Sequence, residues 1–151
     1  MKLAEALLLR SEYQSKIDNL HHRIIDNLKV QEGEKPHEDP NALLTEVMKL
    51  NDELCTLVKK INKKNNETIL ADGRTLSEAL ADRESIMKKR QILSVIASNA
   101  SQRDFRLTHA EVKMYATMDI GKIQKEIDSL SQQFRLLDTQ IQGQNWTIEL
   151  E

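Results

Sequence analysis

Ile120-Gly121-Lys122-Ile123-Gln124-Lys125-Glu126-Ile127-Asp128-Ser129-Leu130-Ser131-Gln132-Gln133-Phe134-Arg135-Leu136-Leu137-Asp138-Thr139-Gln140-Ile141 is the stretch that decides the fold. Its apolar residues Ile120, Ile123, Ile127, Leu130, Phe134, Leu137 and Ile141 recur three and four positions apart without a miss. That spacing lays them on one stripe of an α-helix, whereas a strand would need them at every second position. Asp119 stands where a carboxylate caps free N–H groups, and Gly143 stands where helices end, so the spacing predicts a helix over 119–142.

The same rhythm recurs upstream. Leu3, Ala6, Tyr13, Ile17, Leu20 and Ile24 predict a helix over 2–28, with Leu7 and Leu28 widening the stripe on one side and Arg10 interrupting it. Asp39-Pro40 reads as a new start, because proline at the first helical position loses no hydrogen bond. From there Leu43, Val47, Leu50, Leu54, Leu57 and Ile61 predict a helix over 40–64, fading into Asn62-Lys63-Lys64-Asn65-Asn66. The first two helices form an antiparallel hairpin in this reading. Asp72-Gly73 is a turn dipeptide, and Thr75-Leu76-Ser77-Glu78 matches a capping box that opens a third helix over 76–101. Its seam holds Leu76, Ala79, Ile86, Leu93, Ala97 and Ala100, but the slots between them hold Arg83 and Arg90. Guanidinium groups there either pair with carboxylates such as Asp128 or Asp138 and fix register, or the helix is turned so that both face solvent.

Period-two alternation of Val112, Met114 and Ala116 predicts a short strand over 111–117, with 68–70 as its partner and a small β element covering one end of the bundle. The expectation as a whole is one mainly α domain over 1–151, four heptad-patterned helices in a bundle or coiled-coil arrangement.

Composition agrees with helices. Charged residues make up 30% and aromatics 3%, a balance that suits long amphipathic helices and starves a sandwich or barrel of in-facing rings. The 4 glycines and 2 prolines fall largely between the predicted helices, where breakers belong. A formal charge of -2 gives no global field toward nucleic acid or an anionic membrane. One cysteine, Cys55, forms no internal disulfide and reads as a packing residue at the edge of the second seam, which points to a reducing compartment and a cytoplasmic protein. Glu5 interrupts the apolar run from Leu3 to Leu9 and Arg10 closes it, so it is not read as a signal peptide. No stretch reaches the roughly 20 apolar residues a spanning helix needs, so constitutive membrane insertion is not expected.

Few residues offer chemistry. His21 and His22 are adjacent and so point to different faces of a helix, His37 lies in a loop beside Glu38 and Asp39, and His109 has no ligand partner at metal spacing. Glycine-rich phosphate loops are absent. Catalytic residues, metal ligands and cofactors are therefore not assigned. Lys59, Lys60, Lys63 and Lys64 form a basic patch among asparagines. Without aromatic rings to stack bases, the patch reads as a solvated helix end complementing the C-terminal dipole, so no nucleic-acid partner is expected; an RNA-contacting hairpin stands as an alternative. The narrow stripes, about two residues in seven, suit knobs-into-holes packing and point to a homo-oligomer acting through protein contacts.

Several segments together carry a family resemblance: Met1-Lys2-Leu3-Ala4-Glu5-Ala6-Leu7, Val30-Gln31-Glu32-Gly33-Glu34, Glu38-Asp39-Pro40, Ile61-Asn62, Asp72-Gly73-Arg74-Thr75-Leu76, Ala79-Leu80-Ala81-Asp82-Arg83-Glu84 and Asn145-Trp146. In order and over nearly the full length, the set resembles the septicolysin-like family of small bacterial proteins. Departures are Glu84, where aspartate is expected, and Lys64, where threonine is expected. The resemblance implies a bacterial helical protein, a shared polar site at Gln31, Glu32, Asn62, Arg83 and Glu84, and, by the family's name, a cytolysin-like membrane activity as the runner-up function. The leading expectation is a self-associating structural or interaction protein without catalysis.

Overall fold

The computed structural model describes residues 1–101 and 113–151. The fold is mainly α, with four helices among the described residues: α1 (Leu3–Asp26), α2 (Pro40–Glu67), α3 (Leu76–Ser101) and α4 (Ile120–Thr147). The chain divides into two compact units, Met1–Thr75 with Gln142–Glu151, and Leu76–Ile141.

In the first unit α1 and α2 pack against each other. Their inward residues are those the spacing selects: Leu3, Ala6 and Leu20 on α1 and Leu43, Leu57 and Ile61 on α2 are buried. Tyr13, Ile17, Ile24, Val47, Leu50 and Leu54 are half-buried, because a pair of helices encloses only one side of each seam residue. Asp39 caps α2 by accepting from Asn41 N at 2.9 Å, as the Asp39-Pro40 signal anticipates. The same unit joins the two chain ends. Leu3 N donates to Ile148 O at 2.9 Å and Leu150 N to Met1 O at 2.7 Å, forming an antiparallel bridge between Lys2 and Glu149.

In the second unit Leu76 and Ala79 of α3 and Ile123, Leu130, Leu137 and Ile141 of α4 are buried. Asp119 caps α4, accepting from Lys122 N at 3.2 Å.

α1 ends at Asp26, two residues short of the expected 28, and three larger departures from the sequence reading follow. First, α2 continues past 64 to Glu67, where Thr68 ends it by giving both its N–H and its hydroxyl to Lys64 O. The asparagine- and lysine-rich run forms the last turns of a helix whose inward residue just before it, Ile61, is fully buried, with Lys64 and Asn65 half-buried on the same side. Second, α4 runs through Gly143 to Thr147, since the turn beyond it buries Asn145. Third, the β element is not formed as expected. Ile69 pairs with Thr75 in one isolated bridge, closed by Leu70 N on Arg74 O at 2.8 Å around Gly73, whose φ of 88° only glycine adopts without strain. That tight turn satisfies the backbone of 68–70 locally. Of the strand expected over 111–117, residues 113–117 have no regular structure, and 111–112 lie outside the described residues, as does His109.

Candidate functional site

Two polar constellations are built into the helix packing, one in each unit. On α3 the seam slots at Arg83 and Arg90 are half-buried and do not turn to solvent. Arg83 Nη1 donates to Asp138 Oδ1 at 2.6 Å, and Arg90 Nη1 reaches Ser131 Oγ at 3.5 Å. The donors are one heptad apart on α3 and the acceptors one heptad apart on α4, in reverse order, which is the signature of antiparallel packing in a fixed register. Asp128, the other carboxylate expected to pair, instead accepts from Gln124 on its own helix at 3.2 Å.

In the first unit the loop after α1 is held by three side chains. Asn27 Nδ2 donates to Arg23 O at 2.8 Å while its Oδ1 accepts from Glu38 N at 3.1 Å. Arg23 in turn grips the Glu38 carboxylate in a forked contact, Nε to Oε2 at 2.9 Å and Nη2 to Oε1. The guanidinium holds the Glu38 carboxyl below the usual carboxylate range, chiefly through that hydrogen bond. A helix end is thereby tied to the residue just before the next helix's cap. Asp26, Asn27, Gln31, Glu34, Lys35 and His37 are among the residues that line a shallow hollow under this loop.

The residues named from sequence are distributed as follows. Gln31 and Glu32 are exposed in the α1–α2 loop, and Asn62 is exposed on α2. Asn62 lies about 33 Å along the helix from Pro40 at roughly 1.5 Å per residue, so it is at the far end of the hairpin from Gln31. Arg83 and Glu84 belong to the other unit, Arg83 on the seam and Glu84 exposed. Within its own unit the structure brings Arg83 to Asp138. Of the basic patch, Lys60, Lys63 and Lys64 line a shallow hollow together with Glu67, Leu150 and Glu151, and Lys59 is exposed outside it. Lys63 lies 3.8 Å from Glu67, so carboxylates share and weaken the positive field there.

Cys55 is exposed, a correction to the packing role expected for it. It follows Leu54 on the seam, and one residue's rotation of about 100° turns it outward. His21 and His22 are both exposed, with ring centroids 6.2 Å apart. Among the described residues no group of three or more His, Cys, Asp and Glu side chains is placed to hold a metal ion. No described helix is long and apolar enough to cross a membrane.

The model of a family of unknown function, DUF6847, matches residues 10–150. The chain belongs to this family. The matched span takes in α2, α3, α4 and most of α1, and so includes both the Arg23–Asn27–Glu38 clamp and the Arg83–Asp138 pair. Among solved structures, a crystal structure described as a functionally unknown conserved protein from Corynebacterium diphtheriae is similar, with 40% identity over 100% of this chain and 99% of that one, at a TM-score of 0.94. No curated protein matches.

Neither the clamp nor the reverse-order ladder is visible as a motif in the sequence. The signal that pointed toward the ladder was the interruption itself: two arginines exactly one heptad apart in an apolar seam require partners of opposite charge or polarity on the facing helix.

Proposed function

We propose that this family member is a self-associating structural or interaction protein, acting in the cytoplasm through protein contacts and without catalysis. The observation that carries it is the large apolar surface left outside the helix packing. Leu8, Met48, Ile92 and Leu136, one on each helix, are between 52% and 64% exposed, although each is on a well-formed helix with a polar alternative face available. Apolar side chains held open in this number favour association with another protein surface. The polar side chains of the clamp, the ladder and the helix caps, by contrast, are engaged in holding helices.

Sedimentation velocity over a wide concentration range tests this reading. A mass that rises to a defined multiple of the monomer is expected, and a monomer at every concentration would overturn it. The runner-up, a membrane-active protein, rests on the septicolysin-like resemblance, and dye release from anionic liposomes at protein concentrations where mass is known would favour it instead.

A further inference from the structure

Four of the exposed apolar residues are not scattered. Ile25 stands in the last turn of α1 and Leu28 two residues past its end, and Leu44 and Met48 stand in the first turns of α2, at 49%, 61%, 44% and 58% exposure. Each directly follows an inward residue: Ile24, Asn27, Leu43 and Val47. In two antiparallel helices the residues that follow the seam fall on the same side of the pair, because both helices are right-handed and the pair is related to itself by a near two-fold. Ile25, Leu44 and Met48 therefore share one side of the hairpin, at its loop end, and Leu28, whose N–H bonds to Ile25 O at 3.3 Å, continues the α1 turn on that side. The residues that precede the seam line the other side, and there the sequence places Lys16, Arg23, Glu46, Lys49, Glu53 and Lys60. At its loop end, then, the hairpin has one apolar side, and the opposite side is charged.

We infer that the apolar side of the α1–α2 hairpin, at Ile25, Leu28, Leu44 and Met48, is the surface on which a second copy of this chain docks its own identical side. The inference rests on the self-association proposed above and names where it occurs. Three features select a second copy as the occupant. The patch is built from an antiparallel pair, so a two-fold axis lays one patch upon the other and generates four helices with widened stripes facing inward, the usual way such stripes are covered. Its border carries both signs, Asp26 and Lys29 beside the α1 residues and Asp52 one turn on from Met48, all exposed; two copies related by a two-fold meet without a like-charge field, and a strongly acidic or basic partner finds no matching field. The exposed parts of these side chains amount to on the order of 400 Å² of apolar surface in each copy, the size of a functional patch. With the bordering residues included, two such patches bury about 1,200 Å² in total, enough for a specific if modest interface.

The experiment compares sedimentation equilibrium of the wild-type chain with Met48→Lys, Leu28→Glu and Glu53→Lys, each checked for unchanged helical circular dichroism. All three positions are exposed, so none disturbs the seam. A wild-type dimer whose dissociation constant rises at least about tenfold in Met48→Lys and Leu28→Glu, but not in Glu53→Lys on the charged side, is the expected result. A dimer indifferent to Met48→Lys and Leu28→Glu would overturn this assignment while leaving self-association standing. A wild-type monomer would overturn both.

Discussion

Arg83 and Asp138 stand in the same relation as Arg90 and Ser131, each pair one heptad from the other on both helices, so a single antiparallel alignment of α3 and α4 satisfies two half-buried guanidinium groups. A slip of α3 by one heptad would move each arginine from its acceptor to another position. Polar groups within an otherwise apolar seam are among the better-attested ways of selecting one alignment over its neighbours.

Arg83→Met is expected to destabilise the fold by about 1 kcal/mol, because it leaves the Asp138 carboxylate half-buried without its partner. Arg83→Met with Asp138→Leu should recover most of that loss. Urea denaturation of the two single variants and the double variant measures the coupling, and purely additive losses would show that the pair contributes nothing.

Gly143 has open space where a Cβ would stand and sits inside α4. Gly143→Ala should therefore stabilise the protein by about 0.5–1 kcal/mol, through reduced freedom of the unfolded chain and better helix propensity. The opposite is expected at Gly73, where a φ of 88° strains any residue with a Cβ; Gly73→Ala should cost about 1 kcal/mol. Thermal melts of the two variants should move in opposite directions.

Asp39 and Asp119 each accept a backbone N–H at a helix start. Replacing either with Ala should cost about 1 kcal/mol, and Asn should retain most of the stability because its side-chain oxygen still accepts the bond. Denaturant midpoints of the four variants provide the comparison.

Glu38 and Asp72 are both held below their usual values, Glu38 chiefly by the hydrogen bond from Arg23 and Asp72 chiefly by the side-chain bond from Arg74. Each folded carboxyl binds its proton more weakly than the unfolded one, so the stability it contributes is complete above the ordinary carboxylate range and is lost as pH falls through the folded value. Stability should therefore rise with pH across the acid range below the ordinary Glu and Asp values. In Arg23→Gln that slope should flatten, and carboxyl resonances followed by NMR should show Glu38 titrating closer to its ordinary value.

Much of this fold is written in the spacing of apolar residues. Leu43, Leu57 and Ile61, or Ile123, Leu130, Leu137 and Ile141, are buried because they alone return to the same side at every turn. Ends were harder to read. The run after Ile61 is polar, but so is the outer face of any surface helix, and composition alone does not distinguish a helix's last outer turn from a loop. Gly143 looks like a stop, yet one glycine inside a helix costs only about 1 kcal/mol, which the packing of Ile141 and Asn145 on either side offsets. The alternation around Met114 suggests a strand, but residues 113–117 have no regular structure, and the expected partner 68–70 closes locally on Thr75. The polar constellations were legible only in part. An arginine in a seam announces that it needs a partner, and Arg83 found one of the two carboxylates named for it. Arg23 and Glu38 gave no such warning, since both are ordinary exposed-type residues joined across a loop. The set Gln31, Glu32, Asn62, Arg83 and Glu84 rests on the family resemblance, and its members divide between the compact units, Gln31, Glu32 and Asn62 in one and Arg83 and Glu84 in the other.

The bridge between Lys2 and Glu149 has a topological consequence. With Met1 and Leu150 already hydrogen-bonded across it, a few added residues would join the termini into a closed ring, and the polypeptide order would become arbitrary. New ends opened within 31–35, a stretch of exposed residues, should then yield a permutant that retains the same helices, and appendages attached at Met1 and Glu151 will emerge side by side.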